Sequence, residues 1–399
     1  MAESHYAMLP VPEALEIVLA QALMLETVRV PLAAALGRVL AEPVRAHDPL
    51  PPFAASIKDG YAVCAADGPG VYPVVGEATA GHIPSFAVTP GTVAYITTGA
   101  PVPQGADAVV MVEETELLPG RTGVAHVRIR KSVKPGADVR PIGYDVAVGE
   151  EVLPAGVRLG AAELGLLATV GQAIVPVVRQ PRVAVLSTGD ELAAPGEAAP
   201  GQIPESVSLG AAAIVEQWGG SVVRCARLPD KLPLLQDAAR KAADEDLIVV
   251  TGGASVGDYD FARQMFSDLE IIIPKVAIRP GKPVWMGRSG SAVILGLPGN
   301  PTAAMVTARL LLAPLVAGLS GRSPCEALKW RSDVLAVSLP SNGERETFLL
   351  GRAAPKGVEV LTRQDSSGQK ALAMTSLLVR RPPGAAPAEP GQTIDVLEF

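Results

Sequence analysis

Cysteine and histidine are scarce in this chain of 399 residues, which has three cysteines and four histidines. Cys64, Cys225 and Cys325 lie far apart and form no CxxC pair. The sequence therefore predicts neither a disulfide framework nor a structural zinc site. Long apolar runs are also missing, since none reaches the roughly 18 residues of a transmembrane helix, and the N-terminus lacks a signal-peptide pattern. These absences favour a soluble cytoplasmic protein that does not insert into a membrane.

Positive charge is in the minority. Lys and Arg number 34 against 41 Asp and Glu, and the formal net charge is -7. Because the basic residues form no continuous stripe, we do not expect nucleic acid as a partner. Apolar residues make up 48% and charged residues 19% of the chain. Disordered chains have low hydrophobicity and high net charge, so this composition predicts a folded protein. At about 150 residues per domain, the length predicts two or three folded domains.

The first half of the chain divides by pattern into a helical part and a β-rich part. Pro12, Leu15, Val18, Leu19 and Ala22 have the spacing of an amphipathic helix. Apolar Ala/Leu-rich sequence returns near residues 161–167, so residues 1–47 and 146–178 are predicted to form one discontinuous helical platform. Between them, residues 48–145 contain short β runs separated by Gly/Pro turns, which predicts a β-rich insert.

The second half alternates strands and helices and then becomes β-rich again. Predicted strands at 183–186, 221–225, 247–250 and 292–295 alternate with helices that include 301–315, with Asn300 as N-cap. Residues 179–322 are therefore predicted to form a parallel α/β sheet domain. Short β runs at 334–339, 347–350, 358–361, 377–379 and 393–397 predict a small β-barrel or sandwich over residues 323–399. The fold class is multidomain α/β.

Three predicted strands of the α/β domain end in polar loops that contain glycine, at residues 187–191, 251–260 and 298–301. The carboxyl ends of parallel strands share one edge of a sheet, so we expect these loops to meet. Glycine lets the backbone approach an anion, and a following helix N-terminus favours a phosphate. Neither a Walker A nor a GxGxxG motif occurs. The alternative for each loop taken alone is an ordinary turn.

Two groups of charged residues suggest ligands at this edge. Asp190, Glu191, Asp258 and Asp260 are candidate Mg²⁺ ligands, because carboxylates beside a phosphate site need a divalent cation. Their alternative role is helix N-terminal capping. The turn Arg279-Pro280-Gly281-Lys282-Pro283 places two cations close together, which suits a tetrahedral dianion. The alternative here is a solvated turn.

Six segments carry a resemblance to a known family: KDGYAV (58–63), TTGAPVPQGADAVVMVE (97–113), STGDEL (187–192), TGGASVGDYD (251–260), RPGKP (279–283) and GLPGNP (296–301). In this order they resemble the molybdopterin molybdenumtransferase family, which includes bacterial MoeA proteins and the E-domain of gephyrin. The resemblance covers about residues 10–320. It implies insertion of molybdate into adenylylated molybdopterin, with release of AMP in a Mg²⁺-dependent step that completes molybdenum cofactor synthesis.

The resemblance also implies an architecture and partners. It implies a homodimer whose subunits contain a helical dimer platform, a β-rich insert, a MogA-like α/β domain and a C-terminal β-barrel. The active cleft would lie between the α/β domain of one subunit and the insert of the other. A molybdopterin adenylyltransferase, or G-domain, would act with it in cis or in trans.

The matching motifs imply roles for individual residues of this chain. The implied catalytic residues are Asp59, Thr98, Asp145, Glu191 and Asp260. The implied substrate-binding residues are Gly252, Gly253, Ser255, Pro298, Gly299, Asn300 and Pro301. Molybdate is expected at Arg279, Lys282 and Thr302, extended from the C-terminal region by Arg345, Arg352, Ser366 and Ser367.

The chain departs from the family pattern at a few positions. In the segment 201–207, Glu205 stands where relatives have Asp and Val207 where they have Asn, so either turnover is weak or a neighbouring polar group substitutes. Ala303 replaces a Ser, with Thr302 adjacent, and Arg279 replaces a Lys. These departures keep open a catalytically weakened E-domain that acts as a scaffold or receptor anchor. A generic phosphate enzyme is the third hypothesis.

Overall fold

The computed structural model describes residues 7–119, 124–252 and 261–399. The chain divides into two compact units. The larger unit comprises Met1–Val30, Gly37–Ala41 and Pro176–Phe399, and the smaller unit comprises Pro31–Leu36 and Glu42–Val175.

The helices have the following bounds in chain order: α1 (Val11–Gln21), α2 (Ala161–Thr169), α3 (Val207–Gln217), α4 (Leu232–Lys241), α5 (Phe261–Gln264), α6 (Pro301–Thr307), α7 (Ala313–Leu319), α8 (Pro324–Ala327) and α9 (Gln369–Ala373). A π-helical segment, Ala308–Leu312, joins α6 to α7. The helices predicted near residues 12–22 and over 301–315 are confirmed by α1 and by α6 with its continuation.

The strands up to residue 178 are β1 (Thr27–Pro31), β2 (Val44–Arg45), β3 (Ala55–Ser56), β4 (Gly60–Val63), β5 (Gly70–Ala78), β6 (Val93–Ile96), β7 (Ala108–Met111), β8 (Thr115–Leu118), β9 (His126–Ile129), β10 (Val139–Arg140), β11 (Glu151–Leu153) and β12 (Ile174–Val178). Six of them form the sheet of the smaller unit, in the order β7-β4-β6-β5-β9-β8. Apolar side chains pack on both of its faces: Tyr61, Val93 and Val127 belong to one cluster, and neighbours of opposite direction such as Ala62 and Ile96 belong to another.

The remaining strands are β13 (Arg182–Thr188), β14 (Leu192–Ala193), β15 (Ile203–Pro204), β16 (Ser221–Leu228), β17 (Leu247–Thr251), β18 (Glu270–Ile273), β19 (Ile278–Arg279), β20 (Trp285–Ser289), β21 (Ala292–Leu297), β22 (Arg331–Val334), β23 (Glu346–Ala354), β24 (Gly357–Val360), β25 (Leu377–Arg381) and β26 (Thr393–Glu398). They build two sheets of the larger unit, in the orders β16-β13-β17-β21-β20-β18 and β19-β23-β25-β26-β22. In the second sheet β24 pairs with β23.

The first of these sheets is the predicted α/β sheet. Its strands β16, β13, β17 and β21 pair in parallel, which confirms the parallel core. Neighbouring residues of β13 face opposite sides: Val183 and Val185 pack with α3, whereas Ala184 and Leu186 pack with α4. Helices therefore cover both faces, which is why these strands are continuous apolar runs rather than alternating ones. The antiparallel edge made by β20 and β18 was not predicted.

The helical segment 301–319 forms the centre of the larger unit. By length and composition it could cross a membrane, yet the whole segment is buried inside the protein. Its Arg309 donates hydrogen bonds to the carbonyls of Glu398 and Ala327, and burial lowers the pKa of this guanidinium to about 10. The segment has the character of a core helix, so its hydropathy does not indicate membrane insertion.

The C-terminal sheet confirms four of the five predicted β runs. Strands β23, β24, β25 and β26 lie at the predicted positions. The run predicted over 334–339 is wrong, because β22 ends at Val334 and Leu335 and Leu339 then pair only through isolated bridges. The short strand β19 pairs in parallel with β23, with Arg279 opposite Thr347. This pairing brings the Arg279–Lys282 turn beside the C-terminal sheet.

Candidate functional site

The carboxyl ends of β13, β17 and β21 lie at one edge of the sheet, as predicted; of the loop predicted at 251–260, the structure describes Thr251 and Gly252. Ser187 pairs with Thr251, and Thr251 pairs with Leu297, so the three strands end at the same level. Together with the start of α3 and the 367–369 segment they surround a cavity of about 610 Å³, called the rim pocket here. It is lined by Thr188, Glu191, Leu192, Ile203, Pro204, Glu205, Ser206, Val207, Thr251, Gly252, Pro283, Pro298, Gly299, Asn300, Pro301, Ser367 and Gln369.

The backbone at the base of the rim pocket is closely packed around a glycine. Gly252 has φ +84°, and a Cβ there would lie 2.3 Å from the carbonyl oxygen of Thr188. Only glycine fits this position. Beside it, the hydroxyl groups of Ser187 and Thr188 are buried without a hydrogen-bond partner among the residues described. Of these two residues, Thr188 lines the rim pocket.

Of the predicted metal ligands, Glu191 lines the rim pocket and Asp190 does not. The Asp190 carboxylate instead accepts a hydrogen bond from the backbone N–H of Asp230 at 3.1 Å. This contact to the segment after β16 is not the helix N-terminal capping that the sequence left as the alternative. Asp258 and Asp260 lie outside the described residues, as do Gly253 and Ser255. Across the described ranges, no three Asp, Glu, His or Cys side chains are grouped as a metal site.

Asp230 is a candidate site residue that sequence reasoning missed. Burial raises the pKa of its carboxyl, and the nearby Asp190 and Glu191 carboxylates raise that pKa further. Perturbed carboxyl groups of this kind concentrate at functional sites. Its position in the sequence could have indicated it. Asp230 follows β16, a fourth parallel strand, and the carboxyl end of that strand lies at the same edge of the sheet.

The departing segment 201–207 contains β15 and leads into α3, which begins at Val207. Glu205 is buried and accepts hydrogen bonds from both the backbone N–H and the hydroxyl of Ser208, so its carboxylate caps the helix. Val207 is 7% exposed and belongs to the hydrophobic core. Ser206 faces the rim pocket, and its hydroxyl oxygen accepts a hydrogen bond of 2.6 Å from Nε2 of Gln369.

A second cavity, of about 660 Å³, lies beside the Arg279–Lys282 turn; we call it the cationic pocket. Arg279, Lys282, Arg345 and Arg381 line it, against the single carboxylate of Asp365. Arg345 donates to the carbonyl of Ile278 at 3.3 Å, and Arg381 donates to the carbonyls of Pro340 and Ala386. The side chains of Arg279 and Lys282 are exposed, and neither makes a hydrogen bond or an ion pair with the residues that the structure describes.

The wall of the cationic pocket contains a buried hydroxyl group. Thr302 is 1% exposed, and its Oγ1 has no partner among the described residues. Its backbone N–H donates to the carbonyl of Ser366 at 2.9 Å. Thr302, Arg345 and Ser366 therefore join Arg279 and Lys282 around one cavity, as the sequence comparison with the family implied.

The two pockets are adjacent and share the residues Pro283, Pro298 and Asn300. Asn300 holds the predicted N-cap position of α6 but makes no capping bond with its side chain. Its amide instead donates to the hydroxyl of Ser366 at 3.1 Å. The bond connects the start of the central helix to the C-terminal segment that lies between the pockets.

Two residues expected at the molybdate site lie elsewhere. Arg352 is paired with Glu359 on the neighbouring strand β24, through hydrogen bonds of 3.0 and 2.9 Å, and lines neither pocket. The loose match in the C-terminal region led to the expectation that Arg352 lies at the molybdate site. Its hydrogen bonds to Glu359 instead keep its side chain against β24. Ser367 lines the rim pocket rather than the cationic pocket.

The predicted residues of the smaller unit form two separate groups. The Asp59 carboxylate accepts hydrogen bonds from the backbone N–H of Thr98, at 2.6 Å, and from its hydroxyl, at 3.0 Å. These bonds lower the pKa of Asp59. Asp145 lines a different cavity, of about 350 Å³, with Leu50, Pro51, Arg140 and Tyr144. Asp59 and Thr98 are not among its lining residues.

Comparisons with known proteins identify the family of this chain. A family model described as "MoeA N-terminal region (domain I and II)" matches residues 9–171, and one described as "Probable molybdopterin binding domain" matches residues 184–318. A molybdopterin molybdenumtransferase from Nostoc sp. is 38% identical, over 82% of this chain and 77% of its own. Molybdopterin molybdenumtransferase 2 of Mycobacterium tuberculosis is 39% identical, over 80% of this chain and 82% of its own.

A solved structure extends the likeness to the whole chain. The molybdopterin biosynthesis MoeA protein from Pyrococcus horikoshii superposes with a TM-score of 0.83 at 30% identity, covering 98% of this chain and 99% of its own. Sequence, motif order and fold agree over both units. The chain therefore belongs to the molybdopterin molybdenumtransferase family.

Proposed function

We propose that this protein is a molybdopterin molybdenumtransferase, which inserts molybdate into adenylylated molybdopterin and releases AMP. The observation that carries the proposal is the adjacency of two unlike cavities. One is lined by the unpaired cations Arg279 and Lys282, and the other lies at the glycine-bearing edge of a parallel sheet. Such a transfer requires two anionic ligands held side by side, and two pockets of unlike charge can bind them in different ways.

The cationic pocket suits molybdate. A tetrahedral dianion needs several N–H or O–H donors, and the Arg279 guanidinium, the Lys282 ammonium and the buried Thr302 hydroxyl supply three kinds of donor around one cavity. Hydroxyl groups accept and donate, so Thr302 can satisfy its orphaned Oγ1 by donating to an oxyanion. Ala303 stands where the family resemblance implies a Ser, and Thr302 would supply the hydroxyl group in its place.

The rim pocket suits the phosphate part of adenylylated molybdopterin. Its described lining contains no Lys or Arg, while Glu191 lines it and Thr188 offers an orphaned hydroxyl group. Hard oxygen ligands with no competing cation fit Mg²⁺, which is commonly held by one or two carboxylates and the substrate phosphates. Glu191 would hold the ion, and Asp258 and Asp260 remain proposed ligands. When bound, Mg²⁺ supplies charge neutralisation at the phosphoanhydride.

The chain's own part in the reaction is to position the reactants. Pro298 and Asn300 belong to the lining of both pockets, so the two ligands would lie on opposite sides of one rigid turn. Holding reactants in this way converts a bimolecular encounter into a positioned one, which lowers the barrier by several kcal/mol. Backbone N–H groups at the glycine loops would stabilise developing charge. No side-chain nucleophile is required.

We further propose the remaining parts of the family arrangement for this chain. These are a homodimer with a helical platform formed by residues 1–47 and 146–178, a β-rich insert at 48–145, a MogA-like domain at 179–322, a C-terminal barrel at 323–399 and a cytoplasmic location. Asp59, Thr98 and Asp145 would act as site residues. A molybdopterin adenylyltransferase would supply the substrate, in cis or in trans.

Reconstitution tests the proposal. The protein with adenylylated molybdopterin, molybdate and Mg²⁺ is expected to release AMP and to form active cofactor, and Lys282→Ala is expected to abolish both. Lys356→Ala, which removes an exposed lysine outside both pockets, is the matched control. A folded wild-type protein that leaves the substrate intact would contradict the proposal and favour the scaffold alternative.

A further inference from the structure

We infer that Ser206 and Gln369 form a positioning pair for the nucleotide end of the substrate, in which Gln369 orients the Ser206 hydroxyl so that it donates to a ligand oxygen in the rim pocket. The inference rests on the proposed function and adds to it a residue pair that the six motifs do not contain. Gln369 belongs to the C-terminal region, where the resemblance to the family is loose.

The pair lies at the start of α3, beside an apolar residue. Val207 is buried in the hydrophobic core, and its side chain offers the pocket no hydrogen bond. Its neighbour Ser206 lines the pocket and accepts a hydrogen bond of 2.6 Å from Gln369 Nε2. The polar contact at the start of α3 is thus made by Ser206 and completed from a segment 163 residues further along the chain.

The segment that carries Gln369 is held in place by the site itself. The Ser366 carbonyl accepts from Thr302 N–H at 2.9 Å, and the Ser366 hydroxyl oxygen accepts from the Asn300 amide at 3.1 Å. Gln369 N–H donates to the carbonyl of Ser367 at 2.9 Å. Because its backbone is fixed by these bonds, the Gln369 side chain reaches Ser206 in a preorganised position.

The hydrogen bond from Gln369 sets the direction of the Ser206 hydroxyl group. A serine hydroxyl has one hydrogen and two lone pairs, and the Gln369 amide occupies a lone pair. No acceptor for the Ser206 hydrogen is found in the described part of the chain, and Ser206 makes no capping bond with α3. The hydrogen is therefore free to be donated to an oxygen of a ligand in the pocket.

A neutral donor suits the charge of this pocket. Glu191 and Glu205 both line it, and the described lining has no Lys or Arg. The Glu205 oxygens already accept from Ser208, so Ser206 is the hydroxyl at the start of α3 that remains available. The ligand chemistry it fits is a phosphate or ribose oxygen of a nucleoside monophosphate.

Calorimetric titration with AMP in the presence of Mg²⁺ tests the pair without depending on turnover. We expect Ser206→Ala and Gln369→Ala each to weaken AMP binding by about 5–10-fold, the loss of one hydrogen bond or about 1–1.4 kcal/mol. Gln369→Glu is expected to weaken it more, because its carboxylate would accept the Ser206 hydrogen and repel phosphate. Molybdate affinity is expected to stay within twofold of wild type in all three variants.

The controls are Gln392→Ala and Ser338→Ala, which remove an amide and a hydroxyl bonded to the Glu389 turn, away from both pockets. Equal loss of AMP and molybdate binding would indicate a merely structural role and overturn the inference. AMP affinities equal to those of the controls, or no AMP binding by the wild type, would also overturn it. A pair that behaves as expected in a protein that fails to turn over leaves the inference standing and contradicts the proposed function.

Discussion

The cationic pocket and the rim pocket lie side by side in the larger unit, yet their charges are opposite. Arg279, Lys282, Arg345 and Arg381 line the first, with Asp365 as its carboxylate. Glu191 and Glu205 line the second, and Lys and Arg are missing from its described lining. An oxyanion is therefore attracted directly to the first pocket, whereas a phosphate in the second needs neutral donors and a divalent cation.

The contrast has a structural origin. The rim pocket is built from the carboxyl ends of parallel strands, whose glycine loops offer backbone groups and carboxylates. The cationic pocket forms where β19 pairs with β23, so the C-terminal sheet contributes its arginines to a turn of the α/β domain. The 366–369 segment contacts both. The two pockets should therefore respond separately to substitution, which the following variants examine.

Removal of the cation pair should give the largest effect. We expect the double variant Arg279→Ala/Lys282→Ala to lower molybdate affinity by about 100-fold or more, since a hydrogen bond from a charged group contributes about 1.5–3 kcal/mol. AMP binding should change by less than twofold. Titration of each ligand measures both numbers. An equal loss of the two affinities would show that the pockets do not act separately.

A substitution at the opposite end of the sheet, Asp246→Asn, should lower stability and leave the affinities of both pockets unchanged. The Asp246 carboxylate accepts from the Arg179 guanidinium at 2.7 and 2.8 Å and from Arg182 N–H at 2.7 Å. Asp246→Asn should lower the free energy of unfolding by about 2–3 kcal/mol, somewhat less than for a fully buried pair. Urea denaturation measures the loss, and any remaining folded protein should bind both ligands normally.

The same variant has a predicted pH dependence. Burial alone would raise the pKa of Asp246, but the hydrogen bonds from Arg179 and Arg182 outweigh it, so the pKa is lowered. The stabilisation is therefore present above the unfolded pKa of about 3.9 and is lost as the pH falls through the folded value. The stability difference between wild type and Asp246→Asn should be constant near neutrality and shrink below about pH 4. A difference that grows on acidification would contradict this assignment.

Substitution of Glu191 should affect only the rim pocket. Glu191→Gln keeps the size of the side chain but removes the charge that would hold Mg²⁺ there. We expect the Mg²⁺ concentration for half-maximal AMP release to rise by about tenfold, with the molybdate requirement unchanged. Glu163→Gln, a substitution of a helix-capping glutamate in the smaller unit, provides the comparison. An unchanged Mg²⁺ requirement would remove Glu191 from the metal site.

Thr302→Val should give the smallest change in ligand affinity, and it should not lower the free energy of unfolding. It replaces a buried hydroxyl that has no described partner, so stability should stay equal or rise slightly while molybdate affinity falls by about fivefold. In the matched variant Thr307→Val, the lost hydroxyl bonds to the carbonyls of Ala303 and Ala304, so molybdate affinity should be kept. Thermal unfolding and molybdate titration separate the two outcomes.

The sequence predicted the rim pocket well because its features are local. Apolar runs identify buried parallel strands, and the shared direction of those strands brings Glu191, Gly252 and Pro298 together. The prediction that Thr302, Arg345 and Ser366 belong to one site came from the family resemblance. Spacing alone would not have found it, since β19 has two residues and its pairing with β23 is long-range.

Other features depended on side-chain partners that no pattern specifies. Arg352 was assigned to the molybdate site by a loose alignment, but Glu359 lies opposite it across the strand pair. Asn300 was correctly placed at the start of α6, yet its amide bonds to Ser366 instead of capping. The Ser206–Gln369 contact was not predicted, because nothing in the local sequence relates two residues so far apart.

Crystals soaked with molybdate and AMP together, in the presence of Mg²⁺, would locate both ligands in one experiment. We expect a molybdenum anomalous peak between Arg279, Lys282 and Thr302, and separate phosphate density between Glu191, Gly252 and Ser206. Molybdenum in the rim pocket, or both ligands competing for one cavity, would contradict this expectation.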